Sequence, residues 1–327
     1  MNEQTFFCIR PQFFARRKAI KKIIEDSGLP IIQTKVVWLI ESDVKILYED
    51  EKPSSYFDAS VEFMTCGFSE VGVIEGIGVI SKLSKLTGDA HIPMDCKIRT
   101  LRRIFGKKLP VRFRGFDYYL NPIHRSRNKL EVERDLTLFQ QLANRSLTTT
   151  LSDMIQKMHQ DKNLLCVFDH HIKNVVALGK DLCEKFGGDK EIVELACWLH
   201  DIASLKTGSK HEHHTKGAKE AGRILRLLGQ RSDLIVRVQE CIHSHRGSVA
   251  VQHISKEAEI VCAADGIANL SYPSLLFFFA FGVKGLGFVE GIESIRRKVQ
   301  SSFEKIPDFA KVEAVQYLEW WKRFEKI

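Results

Sequence analysis

No apolar run in this chain of 327 residues approaches the ~20 needed to cross a bilayer; the strongest, Leu275 to Phe281, is far shorter. The first residues, MNEQTFFCIRPQ, lack a basic start and a long apolar stretch, so neither a membrane span nor a secretory leader is expected. No CxxC pair occurs among the eight cysteines. Several of them lie in apolar helical stretches, where a thiol behaves as a small hydrophobe, which points to a reducing, cytoplasmic compartment. Repeats and low-complexity tracts are missing too. With 44% hydrophobic and 28% charged residues, the composition is that of an ordinary globular protein long enough for two domains.

The net charge of +8 is unevenly placed: residues 1–145 hold 24 Lys/Arg against 18 Asp/Glu, the remainder 25 against 23. Anion attraction therefore belongs mainly to the first half. That half alternates strand-like runs at Thr5 to Arg10, Ile31 to Ile40 and Val71 to Ile77 with helical ones at Phe13 to Ser27, Val79 to Leu86 and Leu130 to Gln141. The alternation predicts an α/β sandwich over residues 1–143. Residues 144–164 read as a linker and a first helix, with Leu151, Met154, Ile155 and Met158 on one face. From 165 to 327 nearly every apolar pattern has helical period, so the second domain is expected to be all-α.

Charge buried in apolar helix is the strongest signal. His200-Asp201 sit in IVELACWLHDIA and Asp265 in AEIVCAADGIANL. An unpartnered carboxylate costs several kcal/mol to bury, so a shared cation is the simplest explanation. Upstream, His171 aligns with Val175, Leu178 and Leu182 on an apolar face, whereas His170 aligns with more polar positions. Two imidazoles and two carboxylates suit a divalent ion with open positions for water and substrate.

The order FDHHIKNVV, ACWLHDIA, HEHHTKGAKEAGRIL, ECIHSHRGS and IVCAADGIANL resembles the HD-domain metal-dependent phosphohydrolase superfamily over about residues 165–327. The resemblance implies that His171, His200, Asp201 and Asp265 bind Mn, Co, Ni, Fe or Mg, with Asp201 in the catalytic machinery. His213 and His245 fall where some members hold a second metal, beside solvated or phosphate-contacting roles for the same residues. Lys206 is expected either to meet a substrate phosphate or to be an exposed loop lysine. Two departures stand out: no Glu closely follows His200-Asp201, and Ala268 stands where many members carry a second Asp.

In the first half, His124 follows Asn121 and lies among Arg125 and Arg127, where an imidazole can meet phosphate. The stretch Asn121-Pro122-Ile123-His124-Arg125-Ser126-Arg127, with Ile9-Arg10-Pro11-Gln12, Phe63-Met64-Thr65-Cys66-Gly67 and Ile98-Arg99, resembles the nucleoside diphosphate kinase family over about residues 3–142. This implies a ferredoxin-like sandwich that binds ATP or another nucleoside triphosphate. It makes His124 the phosphorylated residue, Asp135 an orienting acid, Arg10, Arg99 and Asn121 phosphate contacts, and Tyr48 with Tyr56-Phe57 a base-stacking segment. Here too there are departures: Arg10 replaces the family's Lys, Arg125 its Gly and Arg127 its Asp.

The expected whole is a phosphohydrolase acting on a nucleotide or related phosphate ester, with a nucleotide-binding domain in front. Rival readings are a non-enzymatic nucleotide-sensing regulator and an active kinase using His124. The basic run from Arg99 to Arg114, interleaved with Phe105, Phe113 and Phe116, reads as a solvated loop or an anion-binding surface, with nucleic acid ranked below nucleotide. No membrane partner is expected, and a homo-oligomer is compatible with the family resemblance.

Overall fold

The computed structural model describes residues 2–51, 54–207, 213–245 and 255–324. The chain divides into two compact units, Met1–Ser146 and Leu147–Ile327.

The first unit runs β1 (Asn2–Ile9), α1 (Arg17–Asp26), β2 (Ile31–Trp38), α2 (Glu41–Leu47), α3 (Ser55–Met64), β3 (Phe68–Ile77), α4 (Val79–Thr87), α5 (Leu101–Phe105), β4 (Val111–Phe113), β5 (Phe116–Tyr118), β6 (Ile123–Arg125) and α6 (Lys129–Asn144). Four strands form an antiparallel sheet in the order β2-β3-β1-β6, and β4 pairs with β5 as a separate hairpin. Alternate residues of a strand face opposite ways, so the continuous apolar run of β1 feeds two cores. Phe6 and Cys8 pack with Val44, Leu47, Leu138 and Phe139 of α2 and α6. Phe7 and Ile9 pack with Ile20, Ile24 and Leu83 of α1 and α4. Just beyond α6, Arg145 grips Asp43 of α2 with two hydrogen bonds of 2.9 and 2.7 Å.

The second unit is helical: α7 (Leu147–Gln160), α8 (Leu165–Val167), a π-helical turn at Phe168–Ile172, α9 (Lys173–Phe186), α10 (Lys190–Leu199), α11 (Ile202–Thr207), α12 (His213–Leu227), α13 (Ser232–Ser244), α14 (Lys256–Ser271), α15 (Pro273–Phe277), a second π-helical turn at Phe278–Val283, α16 (Phe288–Glu304) and α17 (Lys311–Phe324). Eleven of the sixteen residues of α14 are buried, which makes it the central helix. Local chemistry fixes the helix starts. The Asp189 side chain accepts from the Glu191 and Ile192 amides to cap α10, and Ser255 accepts from the Ala258 amide to cap α14. Helix α9 lies close against α10 because Gly179 has no side chain; a Cβ there would meet Cys197 Sγ at 2.7 Å.

No single helix among the described residues is long and apolar enough to cross a membrane; Lys256–Ser271 and Pro273–Val283 together have the length and composition but are bent by 83°.

Candidate metal centre and phosphate site

Four side chains from three places in the second unit converge. His171 sits buried in the π-helical turn before α9, while His170 is exposed. His200 caps the C-terminus of α10, Asp201 follows it, and Asp265 projects from α14. His171 Nε2 lies 3.4 Å from His200 Nε2, 3.3 Å from Asp265 Oδ1 and 3.9 Å from Asp201 Oδ2. His200 Nε2 lies 3.6 Å from Asp201 Oδ2 and 3.9 Å from Asp265 Oδ1. An ion about 2.1 Å from each donor would separate neighbouring donors by about 3.0 Å in octahedral and about 3.4 Å in tetrahedral geometry. His171, His200 and Asp201 are spaced as ligands of a single ion, and Asp265 Oδ1 lies beside both imidazoles.

The tautomers fit as well. His200 Nδ1 donates to the Cys197 carbonyl at 2.8 Å, which leaves the Nε2 lone pair facing the centre. Asp201 is 37% exposed and forms the open side, whereas His200 is fully buried. The Asp265 carboxyl is lifted by burial, but Lys305 and then His171 and His200 outweigh this and hold it well below the usual carboxylate range.

Two further histidines line the region. His245 is buried with its ring 5.6 Å from that of His200, and burial followed by His200 pushes its pKa down to about 3. His159 of α7 is buried against Phe168 and donates from Nδ1 to the Ile155 carbonyl at 2.8 Å. The His213 side chain, expected as the partner of His245 at a second metal, lies outside the described residues. Lys206 is 42% exposed and bound to Glu220 at 2.7 Å, so it belongs to a surface pair. The cation at the centre is Lys305, which follows α16 and pairs with Asp265 Oδ2; the sequence reading missed it.

The first unit holds a different site. His124 of β6 faces Asp135 of α6, with Nε2 3.5 Å from Oδ2. Ser126 Oγ donates to the same oxygen at 2.8 Å and Arg134 Nε donates to Oδ1 at 3.0 Å. Burial raises the Asp135 carboxyl, but the bonds from His124 and Ser126 and the Arg134 charge prevail and lower it. The sign of the linkage follows: the stability Asp135 contributes is present above its unfolded value of 3.8 and is lost as pH falls through the lower folded value. Asp135→Asn is therefore expected to destabilise the first unit at pH 7 in urea melts, with the gap from wild type closing in strong acid; a gap that persists there would contradict it.

Of the two cations expected near His124, Arg10 is buried on Tyr48, whose ring packs against that histidine, and Arg99 is not turned inward. Arg99 is exposed, at φ 78°, while Arg102 on α5 is turned inward and donates to the Ala90 carbonyl at 2.8 Å. Arg10 donates to Tyr118 Oη at 2.9 Å and also to Tyr48 Oη. Arg10 Nε, Arg102 Nε and both Nε and Nη1 of Arg125 are buried with no partner among the described residues. Burial and then Arg10 push Arg102 down, and burial and then Arg102 push Arg125 down. Arg10 itself is lowered by burial, but Tyr118 and Tyr48 outweigh this and raise it, so the unpartnered guanidinium nitrogens of Arg102 and Arg125 are the ones that an anion would relieve. Asn121 donates to the His91 carbonyl at 3.1 Å, and its Oδ1 is buried without a described partner.

Three expectations are corrected. Tyr48 is buried beneath His124, ring to ring at 4.9 Å, and Phe57 lies in the core, so neither offers a face to a base. Arg99, expected as a phosphate contact, is exposed, and Arg102 is the arginine turned inward. The basic run is not a continuous cationic surface: Arg112 pairs with Asp117, Arg114 with Asp58, and Arg102 and Arg103 donate to the Ala90 and Met94 carbonyls.

The nucleoside diphosphate kinase family model matches residues 3–144 and the HD domain model residues 168–270. The nucleoside diphosphate kinase of Methanocaldococcus jannaschii is 32% identical over 142 residues, covering 42% of this chain and 94% of that protein. That of Bartonella tribocorum is 35% identical over 104 residues, covering 31% and 74%. A solved nucleoside diphosphate kinase from Encephalitozoon cuniculi is 25% identical and covers 42% of this chain and 88% of that one, with a TM-score of 0.37.

Proposed function

We propose, for a chain that belongs to the nucleoside diphosphate kinase family through residues 3–144 and carries an HD domain at 168–270, that the second unit hydrolyses a nucleotide or related phosphate ester while the first binds a nucleoside triphosphate such as ATP. An HD domain implies a metal-dependent phosphohydrolase. The observation that carries the reading is that the Nε2 atoms of His171 and His200 lie 3.4 Å apart and each within 3.3 to 3.9 Å of an oxygen of Asp201 and of Asp265, with His200 Nδ1 already engaged.

A divalent ion, when bound, supplies Lewis acidity toward a phosphoryl oxygen and a water. His171, His200, Asp201 and Asp265 would hold it. Asp201, on the open side, would take the proton of the attacking water as the new P–O bond forms and pass it to the ester oxygen that leaves as the old P–O bond breaks. The surrounding apolar helices exclude bulk water and strengthen each charge interaction. The test is phosphate release from nucleoside mono-, di- and triphosphates and p-nitrophenyl phosphate with Mn, Co, Ni, Fe or Mg. Chelator-sensitive release from at least one of them is expected; none from any would overturn the reading.

In the first unit the buried guanidiniums favour nucleotide phosphates. Arg102→Ala is expected to weaken ATP binding about 10- to 100-fold, the loss of one charge-assisted hydrogen bond, while Arg99→Ala leaves it within twofold. Equal effects in calorimetric titrations would remove Arg102 from the site. A second reading, phosphotransfer, is favoured by the His124 geometry. With Nε2 facing Asp135, Nδ1 is the nitrogen left to attack a γ-phosphate and pass it to a diphosphate. Acid-labile label from γ-labelled ATP, absent from His124→Ala, is its signature; ATP binding without label leaves the domain a binding module.

A further inference from the structure

Lys305 lies outside both matched segments, immediately after α16. Its side chain is only 8% exposed and its Nζ pairs with Asp265 Oδ2. Packing brings it there. A Cβ on Gly266 would come 2.9 Å from the Ser302 carbonyl oxygen and 2.6 Å from Ile306 Cγ1, so the end of α16 rests directly on the backbone of α14 beside Asp265. Cys262 Sγ meets the Lys305 carbonyl oxygen at 3.4 Å from the same helix.

The two oxygens of Asp265 are divided between neighbours. Oδ1 faces His171 Nε2 at 3.3 Å and His200 Nε2 at 3.9 Å and accepts from Asn269 Nδ2 at 2.9 Å; Oδ2 faces Lys305. A buried ammonium is tolerable only with such a partner. A divalent ion on Oδ1 draws the carboxylate charge to itself and repels the ammonium. A lysine carries a compact charge with three donors on a flexible stem, so it can turn to a new anion. In a hydrolase the anion that arrives with the ion is the phosphoryl group.

We propose that Lys305 is a substrate-binding residue, neutralising Asp265 while no ion is bound and donating to a phosphoryl oxygen once a divalent ion holds that carboxylate. The inference rests on the phosphohydrolase reading and takes the role that Lys206, held on the surface by Glu220, does not fill. It differs in sign from a merely structural role. A lysine that only orients Asp265 would, when removed, weaken metal binding about 10- to 100-fold. A lysine that competes with the ion for Asp265 would leave metal binding as tight or tighter.

The experiment is calorimetry on the full chain, first with Mn²⁺ alone and then with inorganic phosphate on the Mn²⁺-loaded protein, for wild type and Lys305→Met. Unchanged or tighter Mn²⁺ binding with phosphate weakened about 10- to 100-fold is expected for the variant. Mn²⁺ binding weakened tenfold or more, or phosphate binding as in wild type, would overturn the proposal. Lys305→Gln gives the same two readings should the Met variant not fold. Wild-type protein that takes up no Mn²⁺ would instead sink the phosphohydrolase reading, and this inference with it.

Discussion

His200→Ala is expected to abolish uptake of a divalent ion and to lower metal-dependent phosphate release a hundred- to a thousand-fold, about 3–4 kcal/mol of transition-state stabilisation. The size follows from its place: the ring is fully buried, its Nδ1 is committed to the Cys197 carbonyl, and its Nε2 lies within 3.9 Å of the other three donors. Removing it leaves three donors. His243→Ala is the matched control, because that histidine is exposed on α13 and its ring meets that of His214. Activity assays at saturating Mn²⁺, with circular dichroism to verify folding, measure the difference. Wild-type rates in His200→Ala would exclude the quartet from the chemistry.

The second large effect is on stability. Asp265→Ala, in chelator, strands the Lys305 ammonium in the interior without its carboxylate and is expected to cost about 3–5 kcal/mol, the usual penalty for breaking a buried pair from one side. Spread over the second unit, that lowers its melting temperature by roughly 10 °C. Adding Lys305→Met to the same chain removes the stranded charge and puts a side chain of similar length in the apolar space, so most of the loss should be recovered. The two substitutions are therefore expected to be strongly non-additive. Additive losses in the four-member thermal-melt cycle would mean that the ammonium reaches water when Asp265 is gone.

The gathering of His171, His200, Asp201 and Asp265 was legible because each breaks a strong local pattern: a charge in an apolar helix has few innocent explanations. His171 was separable from His170 by helical phase alone, and the structure buries the one and exposes the other. The alternation of strand and helix in the first half likewise carries through to the antiparallel sheet. The cationic partners were harder to read. Arg102 and Arg99 are three residues apart in one basic run, and only the start of α5 at Leu101 decides which guanidinium turns inward. Tyr118, which holds Arg10, comes from the β4–β5 hairpin, whose contacts depend on long-range packing against Tyr56 and Phe63. Lys305 has the faintest local signal: a lysine between Phe303 and Ile306 in a charged helix end, brought to Asp265 by the close approach at Gly266. Tyr48 and Phe57 misled for the opposite reason, since an aromatic segment looks the same whether it meets a base or fills a core.

The most direct test of the account is anomalous diffraction from crystals of the full chain grown with Mn²⁺. It predicts one peak about 2.0–2.6 Å from His171 Nε2, His200 Nε2, Asp201 Oδ2 and Asp265 Oδ1 together. A peak elsewhere, or none at saturating Mn²⁺, would contradict it.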